Sequence, residues 1–151
     1  MKIRYEKDCP VCNGTSVQNG TYTEICKLNK STVYLFKEQT YYGRSVVALN
    51  THEDELYLMN EKLRNEFFDE VVKVAQAIQK ATGAQKINYG AFGDRMSHVH
   101  FHLVPKYEGG EDFGGLFRQG FEGVRYLTEE ERQELIEGIR NEIVKQDFVN
   151  N

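Results

Sequence analysis

The stretch "HVHFHLV", residues 98–104, sets three histidines at alternate positions and fills the gaps with apolar residues. In an extended strand successive side chains turn to opposite faces, so His98, His100 and His102 share one face. Val99, Phe101 and Leu103 then form a core-facing stripe on the other. The period is that of a half-buried strand whose polar face is imidazole. The whole chain has 4 histidines, so three within five residues is a concentration that points to chemistry.

Working outward, short β-branched and aromatic runs precede this strand at 22–28, 32–37 and 45–50. Turn-forming residues separate them, among them Asn29–Ser31 and Gly43, and the three fit an antiparallel meander. From 60 to 82, Leu63, Phe67, Val71, Val74 and Ile78 recur at spacings of three and four, which predicts a long amphipathic helix stopped by Gly83. Its apolar stripe reads as core rather than as a partner-binding surface. A shorter turn at 52–58, with Thr51 as a candidate N-cap, leads into it. Another strand is predicted at 85–90, and the glycine-bearing "GAFGDRMS" returns the chain to the histidine strand.

After that strand, "YEGGEDFGGLFRQGFEG" has the composition of an irregular, mobile loop. Thr128-Glu129-Glu130-Glu131 then forms a capping-box pattern, and Leu135, Ile139 and Ile143 give the following helix one apolar face. The expected fold is α+β: an antiparallel sheet with one long helix packed on it and a C-terminal helix. The 151 residues fit one domain, with a C-terminal loop and helix extension at about 108–151.

Acidic residues outnumber basic ones, 23 to 19, for a formal charge of −4. That argues against a protein that coats a nucleic acid polymer by neutralising phosphates, while leaving a local anion site open. No apolar run approaches the roughly 20 residues needed to cross a bilayer, so no membrane partner is expected. The opening "MKIRYEKDCP" has no apolar stretch of the secretory kind, and the expected compartment is the cytoplasm. In a reducing compartment Cys9-Pro10-Val11-Cys12 reads as a metal knuckle or a redox pair rather than a structural disulfide.

Three readings of the histidine face compete: hydrogen-bonded structural imidazoles, a metal site, and nucleophilic or acid–base chemistry. Cys9 and Cys12 supply half of a tetrahedral zinc site, but no second C-x2-C pair follows, so Cys26 or histidines must complete it. If His52 and one strand histidine do so, the site is closed and structural, and two histidines remain for chemistry.

His98-Val-His100-Phe-His102-Leu-Val104 resembles the signature of the histidine triad (HIT) superfamily. "INYGAFGDRMSHVHFHLVPKY" is similar to that family's Asn-bearing strand, glycine-rich loop and triad strand in order. "GRSVVALNTHEDEL" resembles its strand that ends in a histidine before the helix. The Cys-x-x-Cys is similar to that of zinc-containing bacterial members, and the resemblance covers roughly residues 6 to 108.

The resemblance implies hydrolysis or transfer at an α-phosphorus, with a nucleotide as the partner. It assigns His100 as nucleophile, forming a nucleotidyl-histidine intermediate that water hydrolyses. It assigns His102 to the phosphate and places Asn88 near the phosphate or leaving group. It gives Cys9, Cys12, His52 and His98 to a structural zinc ion. "LFKEQ" is similar to the strand that supplies an aromatic wall and an acidic ribose contact, implying Phe36 and Glu38. A phosphoramidate or a dinucleoside polyphosphate is the implied substrate class, and a homodimer across the long helix the implied assembly. One departure stands out: Asp94 occupies the place where many relatives carry a neutral Gln or Asn, so no amide role is carried over to it. Two other readings remain open, a nucleotide-binding regulatory protein with little turnover and a metalloenzyme whose zinc is held by all three strand histidines.

Overall fold

Apolar runs of five to seven residues bury one face by pairing, and here they pair entirely antiparallel. The computed structural model describes residues 6–120 and 122–149. Its strands are β1 (Tyr22–Lys27), β2 (Ser31–Phe36), β3 (Ser45–Leu49), β4 (Lys86–Gly90) and β5 (His100–Lys106). Helices α1 (Thr15–Gln18), α2 (Glu61–Thr82) and α3 (Glu129–Val149) complete it, with single 3-10 turns at Glu6–Asp8 and Leu56–Leu58. The sheet order is β1-β2-β3-β5-β4, so the first three strands form the expected meander and the histidine strand lies inside the sheet, between β3 and β4. The architecture is the α+β fold that the sequence pattern predicts.

Both long helices lie on one side of the sheet. Phe67, Val71, Val74 and Ile78 of α2 meet Val33, Val47, Leu49, Phe101 and Leu103, and Leu135, Ile136, Ile139 and Ile143 of α3 join the same core. Full burial of each such side chain is worth roughly 1.5–3 kcal/mol. The helix ends are set locally. Asn60 Oδ1 accepts the Leu63 N–H at 2.9 Å, and Gly83 closes α2 in the left-handed region at φ 73°. In α3 the capping box is reciprocal: the Thr128 hydroxyl accepts the Glu131 N–H at 3.2 Å and Glu131 accepts the Thr128 N–H at 2.9 Å. Among the described residues no helix is long and apolar enough to cross a membrane.

Three local expectations change. The histidine strand begins at His100, because the His98 N–H is taken by Met96 O at 2.9 Å in a tight turn. Thr51 is not the N-cap: the helical turn starts at Leu56, with Glu55 in the N-cap position. The glycine-rich segment is irregular, as its composition indicates, yet it is tied down rather than loose. Lys106 Nζ donates to Asp112 O at 2.6 Å and to Gly115 O at 3.1 Å. The Tyr41 hydroxyl bonds the Asp112 carboxylate, and Arg118 Nε pairs with the same carboxylate at 3.0 Å.

Candidate active site and metal centre

The helix-free face of the sheet carries the histidines, and cross-strand register decides what stands beside them. Thr32, Ala48 and His100 share one row. Tyr34, Val46, His102 and Gly90 share the next. Phe36 lies beyond Tyr34 opposite Tyr22, and its N–H bonds Arg44 O at 3.1 Å. Asn88 faces Val104 on this side of the sheet, beyond the His102 row.

The 37–44 turn that delivers Arg44 is built around Gln39, whose side chain is buried. Its Nε2 donates to Phe36 O at 2.7 Å and to Arg44 O at 2.9 Å, and its Oε1 accepts the Gly43 N–H at 2.8 Å. Gly43 has φ 92°, and a Cβ there would come within 2.8 Å of Thr82, so glycine is required.

At one end of the face the chain crosses itself. His98 Nε2 lies 2.8 Å from Leu49 O. A carbonyl only accepts, so this nitrogen carries the proton and Nδ1 is left with its lone pair. That Nδ1 lies 3.4 Å from each of Cys9 Sγ and Cys12 Sγ and 3.3 Å from His52 Nδ1. His52 Nδ1 is in turn 3.4 Å from Cys12 Sγ. All four ligand atoms fall within 4.8 Å of one another. A tetrahedral zinc ion with bonds of about 2.0–2.3 Å separates its ligand atoms by about 3.3–3.8 Å. The donor set, the spacing and the Leu49 carbonyl behind His98 all fit such an ion. Asp54 Oδ1 stands 3.4 Å from His52 Nε2, a carboxylate behind the second imidazole.

His100 and His102 point elsewhere. They line a cleft of about 810 Å³ with Tyr22, Phe36, Phe92, Asp94, Arg95, Met96 and Gln119, a volume that admits a nucleotide. His100 Nδ1 lies 2.6 Å from His98 O, so it carries the proton and leaves the Nε2 lone pair free. The two rings stand 5.2 Å apart and nearly perpendicular. Burial pushes the pKa of His100 down, the bond to His98 O offsetting part of the effect. For His102, burial together with the neighbouring Arg44 cation takes it down to about 3. This ring therefore stays neutral at physiological pH.

A HIT domain model matches residues 24–109, more than half of the chain. The chain belongs to the HIT domain family. Protein hit of Bacillus subtilis is 28% identical over 81 residues, an alignment that takes in 50% of this chain and 56% of that relative's length. A histidine triad protein from Sinorhizobium meliloti superposes with a TM-score of 0.76 at 23% identity, covering 84% of this chain and 93% of the other. A zinc-bound histidine triad family protein from Mycobacterium smegmatis does so at 0.66 and 16% identity, covering 96% and 99%. HIT proteins form a superfamily of nucleotide-binding hydrolases and transferases.

Within this HIT domain the residues picked from sequence divide into groups. Cys9, Cys12, His52 and His98 come together as one cluster, while Cys26 lies apart on β1 against the helix-side core. His100, His102 and Phe36 share the cleft. Asn88 is on the same sheet face but outside the cleft lining. Glu38 is also outside it: its carboxylate accepts the Thr40 N–H at 2.7 Å and sits 3.6 Å from Arg44 Nη1, so it is occupied as a turn cap and counter-ion.

Sequence reading passed over Arg44, Tyr22, Phe92, Phe117 and Gln119. Phe117 lies against the sheet only because residue 90 is glycine; a Cβ there would come within 2.6 Å of its ring. The one available signal was Arg44, a cation directly before the apolar "SVVAL" and in phase with Val46 and Ala48.

Proposed function

We propose that this protein hydrolyses a nucleoside phosphoramidate or a dinucleoside polyphosphate at its α-phosphorus through a nucleotidyl-His100 intermediate. The observation that carries the reading is the His100 Nδ1 contact to His98 O at 2.6 Å, which turns a neutral, unprotonated Nε2 toward a nucleotide-sized cleft. An uncharged imidazole approaches an anionic phosphoryl group without the repulsion that hydroxide meets. The Nε2–P bond forms as the P–N or P–O bond breaks, and the departing amine or nucleoside polyphosphate leaves with the displaced electron pair, the amine taking up a proton from solvent. Water then attacks phosphorus, the Nε2–P bond breaks, and nucleoside monophosphate is released.

His102, next along the strand, supplies an N–H to a phosphoryl oxygen. Phe36 and Tyr22 give the cleft an aromatic wall suited to a flat base, and a leaving group extending past His102 along β5 approaches Asn88. Cys9, Cys12, His52 and His98 would hold a structural zinc. With four protein ligands it offers no place for substrate and would brace the N-terminal loop against the start of β5. A second copy of the chain is assigned to the exposed Phe68 and Val72 of α2; sedimentation at twice the chain mass tests that.

The deciding experiment is release of nucleoside monophosphate from adenosine 5′-phosphoramidate and from a diadenosine polyphosphate, with EDTA present. Wild type is run beside His100→Ala. Turnover that disappears in the variant is expected, and the ratio of the two substrates identifies the leaving group. A folded wild type that binds AMP and releases none from either substrate would overturn the hydrolase reading in favour of a nucleotide-binding regulator.

A further inference from the structure

Arg44 has no exposed surface. Its guanidinium carbon lies 4.2 Å from the Phe36 ring centroid and 5.5 Å from that of Phe117, sandwiched beneath the aromatic wall of the cleft. Nη1 is 3.6 Å from Glu38 Oε2, while neither Nη1 nor Nε makes a hydrogen bond among the described residues. The guanidinium makes its one hydrogen bond there through Nη2, 3.3 Å from His102 Nδ1. Burying a cation with so few hydrogen bonds is costly even beside a carboxylate, so this one contact stands out.

The donor inventory makes the contact informative. A guanidinium has only N–H groups and no acceptor. His102 Nδ1 must therefore accept, and the single proton of the neutral ring sits on Nε2. At His100 the logic is reversed: the His98 carbonyl only accepts, so the proton sits on Nδ1. The same strand thus presents two neutral imidazoles in opposite tautomers, one oriented by a backbone carbonyl and the other by an arginine.

We propose that Arg44 is a positioning residue that holds His102 in its Nε2–H tautomer, so that the cleft contains one nitrogen able to attack and one N–H able only to donate. Arg44 is fully buried and absent from the cleft lining, so it acts through His102 and not on substrate. Glu38 balances the charge from the far side of the guanidinium. The effect on turnover rests on the hydrolase reading given above; the tautomer assignment does not.

Ring 15N spectra of the histidines test it, first on wild type and then on Arg44→Met. In wild type His102 should show a pyrrole-like Nε2 and a pyridine-like Nδ1, with the pattern inverted at His100. In Arg44→Met the His102 signals should move to the averaged shifts of exchanging tautomers while those of His100 stay put. On adenosine 5′-phosphoramidate, Arg44→Met should lose roughly 100-fold in kcat, the scale of a removed transition-state donor. In a His102→Ala background the same change should cost less than about threefold, because residues acting as a unit are not additive.

A proton on Nδ1 of wild-type His102, an unchanged tautomer in the variant, or equal losses in both backgrounds would overturn the proposal. If Arg44→Met does not fold, Arg44→Leu, which likewise has no donor, replaces it in both assays. A wild type without turnover defeats the hydrolase reading alone, since the spectra still decide the role of Arg44.

Discussion

His98 and His102 lie four residues apart on one extended segment, are both buried, and turn toward the same side of the sheet, yet they serve different sites. His98 meets Leu49 O through Nε2, and its Nδ1 lone pair faces two thiols and a second imidazole. His102 meets Arg44 through Nδ1 and stands in the cleft. The difference lies in the group behind each ring. A carbonyl leaves the far nitrogen with its lone pair, and a guanidinium leaves it with an N–H. His100 is of the first kind, but it faces open space where His98 faces sulfur.

Removing His100 tests this division hardest. His100→Ala should lower turnover by about 10⁴-fold or more, as deletion of a covalent nucleophile does, while zinc content measured by metal analysis stays the same. The metal end should break separately. Cys9→Ser combined with Cys12→Ser should abolish zinc retention, and stripping zinc from wild type should lower the melting temperature. With zinc at a thousand times its Kd, linkage alone supplies about 4 kcal/mol of stability. The shift of the His102 tautomer in Arg44→Met should not follow from zinc removal, which separates the two sites in one spectrum.

The pH dependence has a definite sign. The folded-state pKa of His102 is depressed from 6.5 to about 3. Between those values the unfolded chain binds a proton that the folded chain does not, so stability rises with pH through that window and is fully present above it. The His102 ring signals should therefore not titrate between pH 5 and 8, whereas denaturation midpoints should fall as pH drops below about 6.5.

Smaller changes sharpen the cleft's outer boundary. Gly90→Ala would force its Cβ to within 2.6 Å of the Phe117 ring and should cost about 1–3 kcal/mol by urea denaturation, the range for overpacking. It should also raise KM, because Phe117 packs against Phe92, a residue of the cleft lining. Thr128→Ala removes one half of the α3 capping box and should cost about 1 kcal/mol. It lies away from both histidine environments, so zinc content and kcat should be unchanged.

Local structure was legible because its causes are local. The three-and-four spacing of Phe67, Val71, Val74 and Ile78, the Thr128 cap and the Gly83 stop all act within a few residues of themselves, and each appears where the pattern puts it. The period-two stripe of Val99, Phe101 and Leu103 likewise set which face of the segment enters the core. The two errors at its edges, the start of the strand and Thr51, came from backbone hydrogen bonds to Met96 and from a turn that opens at Glu55. Neither is encoded in side-chain periodicity. The glycine-rich segment misled for a related reason. Its composition describes backbone freedom, while its tether comes from Lys106 and Tyr41, which lie outside it.

What the sequence by itself determined was the inventory: three imidazoles on one face, a thiol pair, a long helix with one apolar stripe, and a second helix with a reciprocal cap. Each follows from spacing and side-chain chemistry along the chain. What only the tertiary structure decided was the partner of each imidazole. Placing β3 beside β5 sets Leu49 O behind His98 and Arg44 behind His102. His100 Nδ1 meets a carbonyl two residues back on its own segment. An imidazole carries its proton on whichever nitrogen its neighbour allows, so cross-strand contacts set the tautomers of His98 and His102 while a carbonyl of its own segment sets that of His100.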